Sequence, residues 1–258
     1  MSGAHSNATW LLLRGLTREA RHWGGFAQQL AGALPPPGAG QVLAPDLPGN
    51  GAVWRQASPA SVGAMVEFLR RQLQAQGVQP PYSLLAMSLG GMVASDWAQR
   101  YPQEVARLVL VNTSLRPFSG PSERLRPRSW ASLALLAAHW GDAGAAEARI
   151  HQLSCHRVDT RAADIAAWVR IRRDAPVSAA NGVRQLWAAA RFSGAAAPRC
   201  PVLLLSSAAD QLVHPRCSAR LAAAWQAEHR QHPWAGHDLP HDDPEWLCRQ
   251  LAGWLGRP

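Results

Sequence analysis

Short apolar runs separated by longer helical stretches limit what this chain can fold into more than any other feature. Residues 10–13, 82–87, 108–111 and 202–205 are four to six residues long and almost continuously apolar. That is the pattern of strands buried on both faces. Helical sequence lies between them. A helix over 19–34 is stopped by Pro35-Pro36-Pro37-Gly38, and a further strand at 42–44 runs into Pro45-Asp46. Ser58-Pro59 reads as an N-cap followed by proline at the first helical position. Behind it Val62, Met65, Val66, Leu69 and Leu73 share one helical face, and Gly77 is a C-terminal stop. A helix over 89–101 follows the 82–87 strand. Strands alternating with helices in this way predict an α/β fold, a doubly wound and mostly parallel sheet.

The alternation breaks after 111. From about residue 115 to 192 there are helical segments, at 130–140, 143–153, 162–172 and 177–191, and no strand pattern. It resumes with the 202–205 strand, a helix near 215–225, a weak strand around 228–231 and a final helix over 244–255. The expected organisation is therefore an α/β core, residues 1–115 and 194–258, interrupted by a helical insertion, 116–193.

One strand-to-helix junction carries chemistry. Ala86-Met87-Ser88-Leu89-Gly90-Gly91 places a serine where a strand must turn sharply into a helix. Small neighbours keep such a turn open, and a serine at a helix head has backbone N–H groups directed at any developing negative charge. The alternative for Ser88 is an N-cap serine on an ordinary helix.

Around this junction the sequence resembles the α/β-hydrolase superfamily, and five segments carry the likeness in family order over residues 10–255. They are Leu12-Leu-Arg-Gly-Leu16, Ala44-Pro-Asp-Leu-Pro-Gly-Asn-Gly51, the Ser88 junction, Ser206-Ser-Ala-Ala-Asp210-Gln-Leu-Val-His-Pro215, and Gly236-His237 followed by Asp242 and Pro244. Arg14 and Asn50 stand where histidines are usual in the family. Family members also carry an N-terminal hairpin for which the nine residues before Trp10 leave no room. A reduced sheet of about six strands is expected, with the 42–44 strand exposed at an edge.

The resemblance implies a nucleophile–base–acid triad of Ser88, His237 and Asp210, in the hydrolase chain order. Asp210 follows a strand end, the edge where α/β sites form; the preceding strand ends in Asn112-Thr-Ser, which offers no carboxylate. His241, beside Asp242-Asp243, is the rival base. The backbone N–H groups of Leu16 and Leu89 are the candidate oxyanion donors. Asp46 is read as holding a turn. His22, Trp23, Met87, Trp130 and Trp187 are candidate pocket walls, the insertion forming a cap over the site.

Charge narrows the partners. The net charge is +9, carried by 26 arginines and no lysine. Residues 116–199 hold 13 arginines against 6 acidic residues, an excess of +7, so the imbalance falls on the insertion. No nucleic-acid motif accompanies it. The four cysteines show no CxxC spacing, and no apolar run approaches a membrane span. The reading is a cytoplasmic bacterial enzyme without metal or cofactor that cleaves a carboxylic ester. The likeness extends to carboxylesterases acting on pimeloyl-acyl-carrier-protein methyl ester, in which an acidic carrier docks on a basic cap. Lactonase, thioesterase, peptidase or lyase chemistry, and a binding protein on this fold, are the alternatives.

Overall fold

The structure is a computed structural model that describes residues 8–34 and 41–256. The first half contains β1 (Thr9–Leu13), α1 (Phe26–Ala33), β2 (Val42–Leu43), α2 (Val62–Ala75), β3 (Tyr82–Met87), α3 (Leu89–Arg100) and β4 (Val105–Val111). The segment that follows is helical, with α4 (Pro121–Arg124), α5 (Trp130–Ala138), α6 (Ala143–Ser154), α7 (Arg161–Asp174) and α8 (Ala179–Arg191). The chain closes with β5 (Val202–Ser207), α9 (Arg216–Trp225), β6 (Glu228–His232), α10 (Leu239–Asp242) and α11 (Pro244–Leu255).

The six strands form one sheet in the order β2-β1-β3-β4-β5-β6, and every neighbouring pair is parallel. Side chains alternate across it. Leu11, Leu13, Leu84 and Ala86 face a core built with α2, α3 and α9. Trp10, Leu12, Leu85 and Met87 face the opposite core, built with α1 and α11. With both faces covered, β1 and β3 read as nearly unbroken apolar runs. The edges are blunted in two ways. β2 is two residues long, and β6 carries Glu228, His229, Arg230 and Gln231 in place of an apolar strip.

Two expected helices begin later than their sequence suggests. The 19–34 stretch splits into a short turn at Ala20–Trp23 and then α1, because Gly24 adopts φ 52° between them. The Pro35–Gly38 stop lies outside the described residues. Helix α2 is capped by Ser61, whose hydroxyl accepts from the Ala64 N–H, and not by Ser58. Ser58 is buried instead, and its hydroxyl donates to the Pro48 carbonyl at 2.6 Å.

The two ends of the helical segment meet. Arg116 and Ser193 form a parallel bridge, and the Gly194 N–H donates to the Arg116 carbonyl at 3.0 Å. The segment thus leaves β4 and returns to β5 at one place, at the C-terminal edge of the sheet.

Candidate active site

Strand β3 delivers Ser88 in a backbone conformation that an L-residue adopts only under constraint, φ 53° and ψ −121°. Its surroundings hold it there. The Ser88 N–H donates to the Val111 carbonyl at 3.0 Å, and its own carbonyl accepts from the Thr113 hydroxyl at 2.7 Å. The glycines that follow are required by space. A Cβ on Gly90 would lie 2.5 Å from the Leu13 and Arg14 carbonyl oxygens, and one on Gly91 would lie 2.7 Å from the Thr113 Cβ. Ser88 sits at the N-cap position of α3, yet its side chain makes no capping hydrogen bond.

His237 lies in the loop between β6 and α10, and Asp210 lies just past β5. Their side chains meet at 2.7 Å, Nδ1 to Oδ2, with the histidine 7% and the aspartate 1% exposed. The other Asp210 oxygen accepts from the backbone N–H groups of Leu212 (2.7 Å) and Val213 (2.9 Å), which fixes the carboxylate plane. Burial alone disfavours the His237 imidazolium. The charge of Asp210 and its hydrogen bond outweigh that, so the pKa of the ring stands above 6.5.

Adjacent residues at the end of β4 link the two halves of the site. Thr113 holds the Ser88 carbonyl, while the Asn112 amide donates to the His237 carbonyl at 2.8 Å. Asn112, with φ 46°, also donates to the Ser207 hydroxyl and accepts from the Ser207 N–H, both at 2.9 Å. The sequence marked this position only for its lack of a carboxylate. Among the described residues no hydrogen bond joins the Ser88 hydroxyl to the His237 ring. Such contacts are often long before substrate binds.

The loop 14–18 passes directly over the serine: a Cβ on Gly15 would stand 3.0 Å from the Ser88 Cβ. Leu16 lies in this loop, and Leu89 is the first residue of α3, where helical N–H groups have no partner within the helix. The loop is held from the insertion. Gln185 on α8 accepts the Thr17 N–H at 2.8 Å and donates to Asn50 (2.8 Å) and Ser58 (3.0 Å). Asn50 in turn donates to the Arg18 carbonyl at 3.0 Å. Asp46 accepts the N–H groups of Ala20 (2.7 Å) and Ala52 (2.8 Å), the turn-holding geometry expected of it.

Arg14 points its guanidinium at Asp238, the residue after His237, in a buried two-point ion pair; the NH1–Oδ1 arm measures 3.0 Å. The same group donates to the Met87 sulfur at 3.2 Å and lies over the Trp23 ring. Although burial pushes the other way, Arg14 lowers the Asp238 pKa to about 2.

The remaining predicted site residues separate. His241 turns toward the insertion and pairs with Asp164 at 3.1 Å, not with Asp210. His22 and Trp23 are buried near Arg14, and burial together with the nearby arginines drives the His22 pKa well below 6.5. Trp130 and Trp187 are each 54% exposed. Trp187 lies on the face of α8 opposite the buried Asn181, Gln185 and Ala188, so neither tryptophan walls an enclosed pocket. Asp242, read from sequence as part of a signature, accepts N–H groups from Gly236 (2.7 Å), His156 (2.9 Å) and Arg157 (2.9 Å). It thereby pins the histidine loop to the end of α6.

A parallel sheet with a strained serine after its third strand and a His–Asp pair beyond its last two defines a hydrolase-type site. A family model described as alpha/beta hydrolase fold matches residues 11–244, and the chain belongs to that family. A pimeloyl-[acyl-carrier protein] methyl ester esterase of Aromatoleum aromaticum is 38% identical over 95 residues, 36% of this chain and 35% of that protein. The matched stretch thus spans about a third of that relative. Solved structures of similar fold include an esterase from Thermogutta terrifontis (22% identity, 96% of this chain and 89% of that one, TM-score 0.72). An enol-lactonase from Burkholderia xenovorans aligns equally well (17% identity, 97% and 92% covered, TM-score 0.75). No helix among the described residues is long and apolar enough to cross a membrane.

Proposed function

We propose that the protein is a serine hydrolase of carboxylic esters. The observation that carries this reading is the buried His237–Asp210 pair on the same braces that hold the strained Ser88. In this reading the Ser88 hydroxyl attacks the ester carbonyl carbon as His237 Nε2 takes its proton. Asp210 keeps the imidazole oriented, with Nδ1–H toward the carboxylate, and stabilises the imidazolium. The N–H groups of Leu16 and Leu89 receive the oxyanion, each such donor contributing on the order of 10²–10³ in rate. The imidazolium then returns its proton to the leaving alkoxide. Water, deprotonated by the same ring, releases the acid and regenerates Ser88. Residues 116–193 act as the cap over this chemistry.

The relative's printed activity suggests a carrier-protein-bound methyl ester as substrate, with the acidic carrier docking on the basic cap. The surface supports this selectively. Arg124, Arg126 and Arg128 are turned inward to the backbone oxygens of Ala189, Ala190 and Asp210, and Arg172 is committed to Glu147. Arg161, Arg170, Arg173, Arg184 and Arg191 are exposed and form the docking charge. The test is a panel of p-nitrophenyl esters of graded length beside an acyl-carrier-protein methyl ester. Turnover of the carrier ester that falls steeply with salt supports docking. Cleavage of the short esters alone, at every ionic strength, retains the esterase and removes the carrier. No cleavage of any ester removes both.

A further inference from the structure

The mechanism leaves one buried cluster unused. His151 on α6, Cys155 at the end of that helix and His241 on α10 each direct one ligand atom into a common space, all within 4.8 Å of one another. Asp164 on α7 completes the ring. Its Oδ2 lies 3.1 Å from His241 Nε2 and 3.7 Å from His151 Nε2, and the Thr160 hydroxyl steadies it at 2.6 Å. Four donors around a zinc ion at bond lengths of about 2.0–2.3 Å stand about 3.3–3.8 Å from one another. The carboxylate-to-imidazole spacings sit close to that range, and the remaining donors need to move inward by about an ångström.

A second observation points to a ligand. His151 is only 2% exposed, and its Nε2 has no hydrogen-bond partner. An unpaired buried imidazole nitrogen costs stability unless something meets it. The Trp168 ring fixes the orientation of both histidines, at 5.3 Å from each ring centroid.

We propose that His151, Cys155, His241 and Asp164 form a transition-metal site of the zinc class that clamps the helical insertion to the histidine loop. The donor set, one thiolate, two imidazoles and one carboxylate, is that of a borderline-soft ion in tetrahedral geometry. Two of the elements that supply ligands, α6 and α7, belong to the insertion. The third, α10, begins two residues after His237. Binding therefore ties together the elements that Asp242 already joins by hydrogen bonds. Burial, with Asp238 and Asp242 nearby, keeps the Cys155 thiol protonated well into the alkaline range. Coordination displaces that proton to solvent as the Cys155–metal bond forms.

The test is a cobalt(II) titration of the chelator-treated full chain. The site predicts one equivalent bound, with a thiolate-to-cobalt charge-transfer band and the visible bands of tetrahedral cobalt, both bleached by zinc. In Cys155→Ser the charge-transfer band disappears, and in His151→Gln the affinity falls at least tenfold. The melting temperature of the unsubstituted protein rises with the logarithm of free zinc. That rise is absent in the Cys155→Ser/His151→Gln double variant, whose metal-free melting curve serves as the folding control. An octahedral spectrum without the charge-transfer band in the unsubstituted protein overturns the proposal. So does a band that survives Cys155→Ser.

Discussion

Arg14 and Asp238 form a buried ion pair one residue from the imidazole of His237, linking the loop over Ser88 to the loop that carries the base. A family histidine is replaced at position 14, and the replacement has acquired a partner. Removing one member of a buried pair leaves the other charge stranded, at a cost of about 3–5 kcal/mol. Arg14→Met should lower unfolding stability by that amount in urea titrations at pH 7. Asp238, with its pKa held near 2, contributes stability that is present above the unfolded carboxylate pKa of about 4. It is lost as the pH falls from about 4 to 2. The Arg14→Met variant should therefore show a flatter stability profile across that interval than the unsubstituted protein.

The His237–Asp210 contact fixes the acid limb of the activity profile. The base must be neutral to accept the Ser88 proton, and Asp210 favours the charged ring. The limb of kcat/KM should fall above 6.5, and Asp210→Asn should move it downward while reducing kcat by about 10⁴. The linked stability term has the opposite sign from that of an acid. The raised histidine pKa stabilises the fold fully below about pH 6.5, and this is lost as the pH rises through the folded-state value. An acid limb unmoved by Asp210→Asn would contradict the pairing.

Asn112 positions the base by its backbone and touches no reacting atom. Its replacement by alanine strands the Ser207 N–H and frees the His237 carbonyl, a loss of about 1–3 kcal/mol in stability. Steady-state kinetics should show a lower kcat with KM nearly unchanged, since the pocket is untouched.

Exposure at Trp130 and Trp187 predicts the reverse outcome. Trp130→Ser and Trp187→Ser should leave kcat/KM on short esters within about twofold, the scale of ordinary surface substitutions. A tenfold loss on acetate or butyrate esters would return them to the substrate pocket.

What could be read in advance followed from periodicity and local turn chemistry. The apolar runs at 10–13, 82–87 and 202–205 have to be buried strands because no other element hides so short a stretch on both sides. Ser88 with Gly90 and Gly91 announces a close approach of backbones, which the Leu13 and Arg14 carbonyls supply. Helix starts were less legible: Ser58 and Ser61 are both capping residues, and only the packing of Ser58 against Pro48 decides between them. The supports of the site were not legible at all. Arg14 reaches Asp238 across 224 residues, and Gln185 reaches Thr17 across 168. Side-chain pairs at such separations have no period, and a glutamine on a helix reads as surface until the fold brings a buried loop against it. The His151–Cys155–His241 cluster was hidden for the same reason, its third member lying on a different element.

The central claim is that Ser88 is a nucleophile activated by His237. Its most direct measurement is labelling by a fluorophosphonate, with the modified peptide sequenced by mass spectrometry and the rate compared in His237→Gln. The account predicts stoichiometric labelling at Ser88, lost in Ser88→Ala and slowed by orders of magnitude in His237→Gln, in parallel with ester turnover. A folded protein that is not labelled at Ser88, or a Ser88→Ala variant that hydrolyses esters at the unsubstituted rate, would contradict it.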